Sequence, residues 1–137
     1  MANNGFRYRA WLEKNKEYLC VKTINLDDSG IFNGVTCYEY DFFYSNRDVV
    51  LQQWTGLKDS NGTDIYEGDI LAPEEITPRC GVVKYGEYTE DDGEYYQKVF
   101  GFFVDTGADE EYSVFHSLDY LGYIVIGNLF QNPELIG

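Results

Sequence analysis

Residues 52–71 read QQWTGLKDSNGTDIYEGDIL, and this stretch decides the fold. Its three glycines, Gly56, Gly62 and Gly68, recur at intervals of six with no proline between them. Each glycine would cost a helix interior about 1 kcal/mol relative to alanine, so the glycines disfavour a helix. Asn61 followed by Gly62 accepts the positive φ that a tight hairpin turn requires. The stretch therefore predicts strand, turn, strand, turn and strand.

Alternation of apolar and polar residues extends this pattern on both sides of the stretch. The strands predicted in this way are residues 6–11, 18–26, 49–54, 81–85, 95–104, 112–118 and 123–126. Residues 35–44 are rich in β-branched and aromatic residues, which also favours a strand, and a short helical turn at residues 41–46 is the alternative there. Acidic loops are predicted at residues 87–94 and 105–111. The fold class that follows is mainly β: a small, partly open barrel or a sandwich of short antiparallel strands with little helix. An α+β fold is the alternative.

The length of 137 residues predicts a single domain, residues 1–137, with one sizeable core. Hydrophobic residues make up 44% of the chain and aromatic residues 18%, enough to drive folding without a metal or a disulfide. An alternative division places an N-terminal β extension in residues 1–48 and a barrel-like core in residues 49–137.

The charge is strongly acidic and unevenly distributed. Ten basic and 24 acidic residues give a net charge of −14. Such a chain cannot neutralise phosphates over a broad face, which disfavours general nucleic-acid binding. Residues 1–26 carry five basic and two acidic residues, a net charge of 5 − 2 = +3. This asymmetry is able to steer one copy's basic head toward another copy's acidic body, although charged residues more often only solvate a surface.

The three cysteines, Cys20, Cys37 and Cys80, are odd in number and show no CxxC spacing. Each has apolar neighbours, which predicts buried free thiols in a reducing cytoplasm. The amino terminus has no apolar signal core, and no apolar run is long enough for a membrane helix. The expected compartment is therefore the cytoplasm, without membrane contact.

His116 is the single histidine, and it offers little for catalysis or for a zinc site. A triad would recruit Ser113 or Ser117 with Asp119, but these are sequence neighbours without a nucleophile elbow. One histidine and dispersed cysteines also lack zinc-ligand spacing. We expect His116 to lie on a strand, half-packed in the core.

Glu67 and Asp69 are the best acid pair for chemistry, because residues two apart on a strand point to one face. With Asp59, they are able to form a metal-dependent enzyme site. The favoured interpretation is structural: Glu67-Gly68-Asp69 forms a turn in which Gly68 takes a positive φ and Asp69 accepts main-chain N–H groups.

A second acid-rich region, residues 87–111, holds nine acidic residues against Lys98 alone. Its predicted interaction face consists of Glu90, Asp91, Asp92, Glu94, Asp109, Glu110 and Glu111. A face of this kind is able to imitate DNA phosphates and inhibit a host DNA-binding protein. A solvated hairpin flank is the simpler interpretation. The aromatic residues nearby are expected in the core and at interfaces: Tyr95, Tyr96, Phe100, Phe102 and Phe103.

Three blocks of sequence resemble the YopX family of small proteins encoded by bacteriophages and prophages. Residues 6–11, FRYRAW, are similar to the family's FRAW opening. Residues 53–59, QWTGLKD, then Gly62 and residues 65–70, IYEGDI, match its QYTGLKD…G…IYEGDI signature. Residues 125–130, VIGNLF, with 132–135, NPEL, resemble its VIGNIYENPEL close. The chain departs from the family pattern at two positions. Trp54 stands where the family usually has Tyr or Phe, and Leu12 stands where an acidic residue often follows the tryptophan.

The resemblance implies a β-rich phage fold without an established biochemical activity, so no catalytic residue carries over. The structural signature residues are Trp54, Thr55, Gly56, Asp59, Gly62, Glu67, Gly68, Asp69, Gly127 and Asn128. We expect Ile65, Ile70 and Ile126 to fill the core, and Asn128 to take a left-handed conformation.

The expected function is a non-enzymatic phage accessory protein in the bacterial cytoplasm. It would act through contacts with a host or phage protein and through self-assembly into a homo-oligomer, without a cofactor or a metal. The acidic DNA mimic and the metal-dependent enzyme are the alternatives.

Overall fold

The computed structural model describes residues 6–40, 42–73, 80–91, 93–107, 111–119 and 121–136. These residues form eleven strands, one short helix and a terminal 3-10 helix. In chain order the elements are β1 (Tyr8–Leu12), β2 (Glu17–Leu26), β3 (Phe32–Cys37), β4 (Phe43–Ser45), β5 (Val49–Lys58), β6 (Asp64–Tyr66), β7 (Asp69–Pro73), β8 (Gly81–Asp91), β9 (Tyr96–Asp105), β10 (Glu111–Ser113), α1 (Val114–Asp119), β11 (Tyr123–Asn128) and the 3-10 helix (Pro133–Ile136).

The strands form two antiparallel sheets, with the hydrogen-bonded orders β4-β3-β2-β1-β5-β6 and β10-β9-β8-β7-β11. The mainly β fold with little helix is therefore confirmed. Neither sheet closes into a barrel within the described residues. The predicted strand, turn, strand, turn and strand of residues 52–71 appears as β5, β6 and β7 with their two turns.

The chain separates into two compact units, residues 1–54 and 55–137, so the boundary falls inside β5. The prediction of a single domain over residues 1–137 stays a prediction, as does the division at residue 48. No helix within the described residues has the length and apolar character needed to cross a membrane.

The core of the first unit follows from the period-two alternation of its strands. One face of β1 buries Ala10 and Leu12, and β2 adds Leu19 to the same face. Val35, Cys37 and Val49 complete this cluster from β3 and β5. Because alternate residues of a strand point to opposite faces, the intervening positions are left for charged and aromatic side chains.

The core of the second unit consists of apolar residues from six elements. The buried cluster consists of Ile65, Leu71, Val83, Val104, Val114 and Tyr123. The predicted core residues Ile65 and Ile70 are fully buried. Ile126 is 40% exposed, so its predicted core position is wrong. The β7–β11 register skips Ile126, and the irregularity at this residue turns its side chain out of the alternation.

Two local predictions are wrong for reasons that concern tertiary contacts. The predicted acidic loop at residues 87–94 is largely strand, because β8 continues to Asp91 and pairs with β9 from Val82 to Asp91. The predicted strand at residues 112–118 is a short strand, β10, followed by the helix α1. Packing of Val114 into the core overrides the β propensity of this segment.

Among the glycines of the first unit, Gly34 is the one whose replacement should most clearly lower the free energy of unfolding. A Cβ atom there would lie 2.4 Å from the main-chain oxygen of Tyr44 and 2.4 Å from a ring carbon of Phe43. We predict that Gly34→Ala lowers the free energy of unfolding by about 2 kcal/mol, because main chain cannot give way as a flexible side chain does. Chemical denaturation measures this change.

Gly101→Ala is the matched control, because a Cβ atom at this strand position meets nothing within 4 Å. It should leave the free energy of unfolding within about 0.5 kcal/mol of the parent. Equal effects of the two substitutions would contradict the packing around Gly34.

Candidate functional site: a signature turn cluster and an aromatic arm

The carboxylate of Asp59 accepts three main-chain N–H groups. Its Oδ1 accepts those of Asn61 and Thr63, both at 2.9 Å, inside the turn that joins β5 to β6. Its Oδ2 accepts the N–H of Val125 on β11, also at 2.9 Å and 66 positions along the chain. Asp59 is 6% exposed. A buried carboxylate therefore closes its own turn and attaches β11 to it.

Residues 27–31 form a second loop of the same geometry. Asp27 Oδ1 accepts the N–H groups two and four positions later, as Asp59 Oδ1 does. The fourth residue of each loop is a glycine, with φ of 80° at Gly30 and 81° at Gly62. Asp27 is exposed, and within the described residues it bonds only inside its own loop. Sequence reasoning missed this equivalence, although the shared DxxG spacing was its signal.

The turn between β6 and β7 contains the predicted acid pair. Gly68 follows Glu67 with φ of 85°, and Asp69 Oδ2 accepts the N–H of Tyr66 at 2.8 Å. Asp69 is 2% exposed. This geometry agrees with the predicted turn, in which Gly68 takes a positive φ and the Asp69 carboxylate accepts a main-chain N–H group. It is not the strand geometry that would place both acids on one face.

Residues 127–132 complete the signature with another side chain that bonds main chain. Asn128 Oδ1 accepts the N–H groups of Phe130 and Gln131, and Asn132 Oδ1 accepts the N–H of Asn128 at 3.1 Å. A Cβ atom at Gly127 would lie 2.5 Å from Asn132 Oδ1. Gly127 is therefore required by close approach. The predicted left-handed conformation of Asn128 is wrong, because its side chain closes this turn instead.

The two ends of the signature meet in space. Asn128 lies opposite Asp69 in the β7–β11 ladder. The N–H of Leu129 donates to the Gly68 carbonyl at 2.9 Å, and the N–H of Gly68 donates to the Val83 carbonyl at 2.8 Å. We call residues 59–69 and 125–132 together the signature turn cluster. The side chains of Asp59, Asp69, Asn128 and Asn132 accept main-chain N–H groups in this cluster, and these bonds fix the positions of its strands.

The remaining signature residues lie on β5. Thr55 Oγ1 donates to the Ile65 carbonyl at 2.8 Å, and this joins β5 to β6. Gly56 takes φ of 87°, a conformation that disfavours residues with a Cβ atom. In the first unit, the guanidinium carbon of Arg7 lies 4.2 Å from the centre of the Trp54 ring, which is a cation–π contact.

The hairpin of β8 and β9 extends beyond the strands that flank it. β7 pairs with β8 only at Gly81 and Val82, and β10 pairs with β9 only from Phe103 to Asp105. Residues 85–91 and 96–102 therefore pair only with each other within the described part of the chain. We call this two-stranded ribbon the arm.

One face of the arm carries a strip of exposed aromatic side chains. Tyr85 is 55% exposed, Phe100 70% and Tyr96 82%. The Tyr85 ring lies edge-on to Phe102 and Phe100, with centroids 5.0 Å and 6.0 Å away. Farther back on the same face lie the core residues Val83 and Val104, so the aromatic strip continues the core side of the sheet into solvent. The sequence predicts the aromatic residues of this region in the core and at interfaces. A core position is confirmed for Phe103 and wrong for Tyr96 and Phe100, and the ribbon itself is not predicted.

On the opposite face, the base of the arm is packed. Tyr88 and Phe103 stack with centroids 5.1 Å apart, and both are buried. Burial, followed by the hydrogen bond to Glu90, raises the pKa of Tyr88 to about 12. At its base, the arm thus has one packed face, whereas the aromatic face is exposed.

The predicted acidic face lies mostly outside the described side chains. Asp92, Asp109 and Glu110 are outside the described residues, and so are the side chains of Asp91 and Glu111. Of the remaining two members, Glu94 is exposed, and Glu90 accepts the Tyr88 hydroxyl on the side opposite to the aromatic strip. Glu87, another acid of the same region, faces Lys98 at 3.4 Å on the aromatic side. Because Glu87 and Glu90 lie on opposite faces of β8, they do not share one surface.

The other residues considered for chemistry do not come together. No three His, Cys, Asp or Glu side chains among the described residues are placed to hold a metal ion. His116 lies in α1, so its predicted strand position is wrong. Ser117 is buried and donates its hydroxyl to the Ser113 carbonyl.

All three cysteines are free, but only Cys37 is buried. Cys20 is exposed and Cys80 half-buried, so the prediction of three buried thiols is wrong for these two. Cys20 falls on the side of β2 opposite to the core residue Leu19, and Cys80 lies just before β8.

An open cleft of about 440 Å³ lies beside the arm base. Its polar side chains bond other protein groups: Lys84 Nζ pairs with Asp105 Oδ2 at 2.6 Å, and Cys80 Sγ donates to the Leu135 carbonyl at 3.1 Å. The hydrogen bond from Lys84, then that from the Gly107 N–H, holds the pKa of Asp105 below its usual range.

These features define an antiparallel β protein with two sheets and a projecting arm. The polar side chains of its sequence signature accept N–H groups of the protein's own main chain. A family model described as YopX protein matches residues 7–137, and the chain belongs to the YopX family. The chain is also similar to a solved structure, the crystal structure of protein EF1440 from Enterococcus faecalis. The identity is 29%, the match covers 98% of this chain and 100% of that chain, and the TM-score is 0.67. No curated protein matches the chain.

The role of Asp59 leads to a prediction with an internal control. In Asp59→Asn, one amide oxygen still serves the turn, but an NH₂ group then faces the N–H of Val125. We expect the free energy of unfolding to fall by about 2–3 kcal/mol, the cost of leaving a buried donor without an acceptor. Urea denaturation at neutral pH measures the fall.

Asp27→Asn is the control, because the equivalent loop keeps both of its bonds through the amide oxygen and points the NH₂ group to solvent. Its effect should stay within about 0.5 kcal/mol. If both variants lose the same stability, the bond from Asp59 to β11 does not have the importance assigned to it.

Proposed function

We propose that this protein is a non-enzymatic accessory protein of a phage or prophage, acting in the bacterial cytoplasm. It works through contacts with protein partners and assembles with itself, without a cofactor. The observation that carries the proposal is the aromatic strip of the arm, formed by Tyr85, Tyr96, Phe100 and Phe102.

The arm is a surface of the kind that protein partners bind. An isolated two-stranded ribbon is only marginally stable in water and gains stability when a further layer or strand covers it. Exposed aromatic side chains such as Phe100 provide large apolar area with few rotatable bonds, which favours their use in interfaces. A partner that covers the strip would therefore stabilise the arm and bury its aromatic rings together.

The two alternatives have less in their favour. Asp59 and Asp69 direct their carboxylates at main-chain N–H groups, which supports a structural role over metal-dependent catalysis. A DNA mimic needs carboxylates along one extended face, whereas Glu87 and Glu90 point to opposite sides of the arm.

Light scattering across protein and salt concentrations tests the proposal. We predict that the parent chain forms a discrete oligomer and that Phe100→Ser shifts it toward the monomer, because the substitution removes a ring from the centre of the strip. Circular dichroism confirms that the variant keeps its fold.

Phe6→Ser is the control, because Phe6 is an equally exposed phenylalanine in the first unit, at 79%. It should leave the oligomer unchanged. A parent chain that is monomeric at every concentration and salt level would contradict self-assembly, and equal effects of the two substitutions would contradict the role of the arm.

A further inference from the structure

Within the described residues, the outer edge of β9 has no strand beside it along the arm. β10 occupies this edge only up to Phe103. From residue 96 to residue 102, the described part of the chain contains no strand on this side, while β8 pairs with the other side throughout. This edge therefore offers main-chain N–H and C=O groups to an added strand.

The two edges of the arm differ in charge. The sequence of β8 along the arm contains Glu87, Glu90 and Asp91, and charged residues on an edge strand oppose pairing with another chain. The sequence of β9 over residues 96–102, YQKVFGF, contains the single charge of Lys98. Glu87 pairs with that charge within the same chain. The β9 edge is thus the nearly neutral, aromatic edge of a strongly acidic protein.

Two copies of β9 that pair antiparallel place complementary side chains opposite each other. If two β9 strands pair antiparallel with Val99 opposite Val99, each Lys98 lies opposite the other copy's Phe100. In the same register each Tyr96 lies opposite Phe102. Facing pairs of this kind, ammonium with aromatic ring and ring with ring, are favourable across antiparallel strands.

The length of the open edge agrees with this register. Pairing centred on Val99 uses residues 96–102 of both copies, which is the full length left open by β10. A shift to Lys98 opposite Lys98 would place like charges together. The opposite shift, to Phe100 opposite Phe100, would need positions that β10 already occupies to keep the same number of pairs.

We propose that a second copy of this chain occupies the β9 edge, giving a continuous four-stranded sheet in the order β8-β9-β9-β8. This inference rests on the self-assembly in the proposed function and identifies the surface responsible for it. The two aromatic strips then lie side by side on one face of the joined sheet.

Cross-linking of engineered cysteines tests this arrangement. In a background of Cys20→Ser and Cys80→Ser, Val99→Cys places two thiols opposite each other across the two-fold axis. A short bis-maleimide should convert most of this variant to a covalent dimer. Thr89→Cys is the control, because Thr89 lies opposite Lys98 on β8, and the two copies would be roughly 14 Å or more apart across three strand spacings. It should remain uncoupled.

A second pair of variants tests the same edge through the dimer dissociation constant, without a cross-linking reagent. Val99→Lys places two like charges opposite each other and should raise the dimer dissociation constant about fivefold. Thr89→Lys adds the same charge to the other strand of the arm and should leave the constant unchanged.

The outcomes separate the two proposals. If the chain assembles but Val99→Cys does not cross-link in preference to Thr89→Cys, self-assembly stands and the β9 edge is not its surface. If the parent chain is a monomer, both proposals fail. Preferential cross-linking at Val99 together with the effect of Val99→Lys establishes the β9 pairing.

Discussion

The bond from the Asp59 carboxylate to the N–H of Val125 is the constraint on which the second unit depends. It joins a turn in the middle of the chain to the last strand and crosses 66 positions of sequence. Because β11 pairs with β7, and β7 with β8, a fixed β11 also fixes the edge of the five-stranded sheet. A carboxylate that accepts main-chain N–H groups makes charge-assisted bonds, which are stronger than neutral ones.

The polar and aromatic residues of this chain have separate functions. The side chains of Asp59, Asp69 and Asn128 are turned toward main chain, so the signature that defines the family specifies a shape. The exposed rings of the arm, Tyr96 and Phe100 among them, are turned toward solvent. The surface that we propose for recognition therefore lies in the part of the second unit outside the signature.

Much of this organisation could be predicted from the sequence, because it depends on local rules. Glycine spacing predicted the turns at Gly62 and Gly68. The alternation of residues 95–104 predicted β9, and the family resemblance followed from three short blocks at the start, middle and end of the chain. The structural use of Asp59 and Asp69 was also the favoured interpretation, because an aspartate before a glycine turn commonly bonds nearby N–H groups.

The rest depends on partners that are distant in sequence. The acids of β8 looked like a loop because only their pairing with β9 makes them strand. Ile126 looked like core because the skipped position in the β7–β11 register is set by contacts across the sheet. Cys20 was predicted to be buried because its neighbours are apolar. Its exposure depends instead on the face of β2 to which its side chain points. The long bond of Asp59 had no local signal, since the equivalent Asp27 has the same loop sequence pattern without it.

Hydrogen exchange of the Val125 amide, followed by NMR, tests the central claim most directly. An N–H held by the buried Asp59 carboxylate should exchange only through larger opening of the second unit, and therefore far more slowly than the Ser29 amide in the exposed Asp27 loop. Exchange of the two amides at similar rates in the native protein would show that the bond does not hold β11, and would contradict the central role of Asp59.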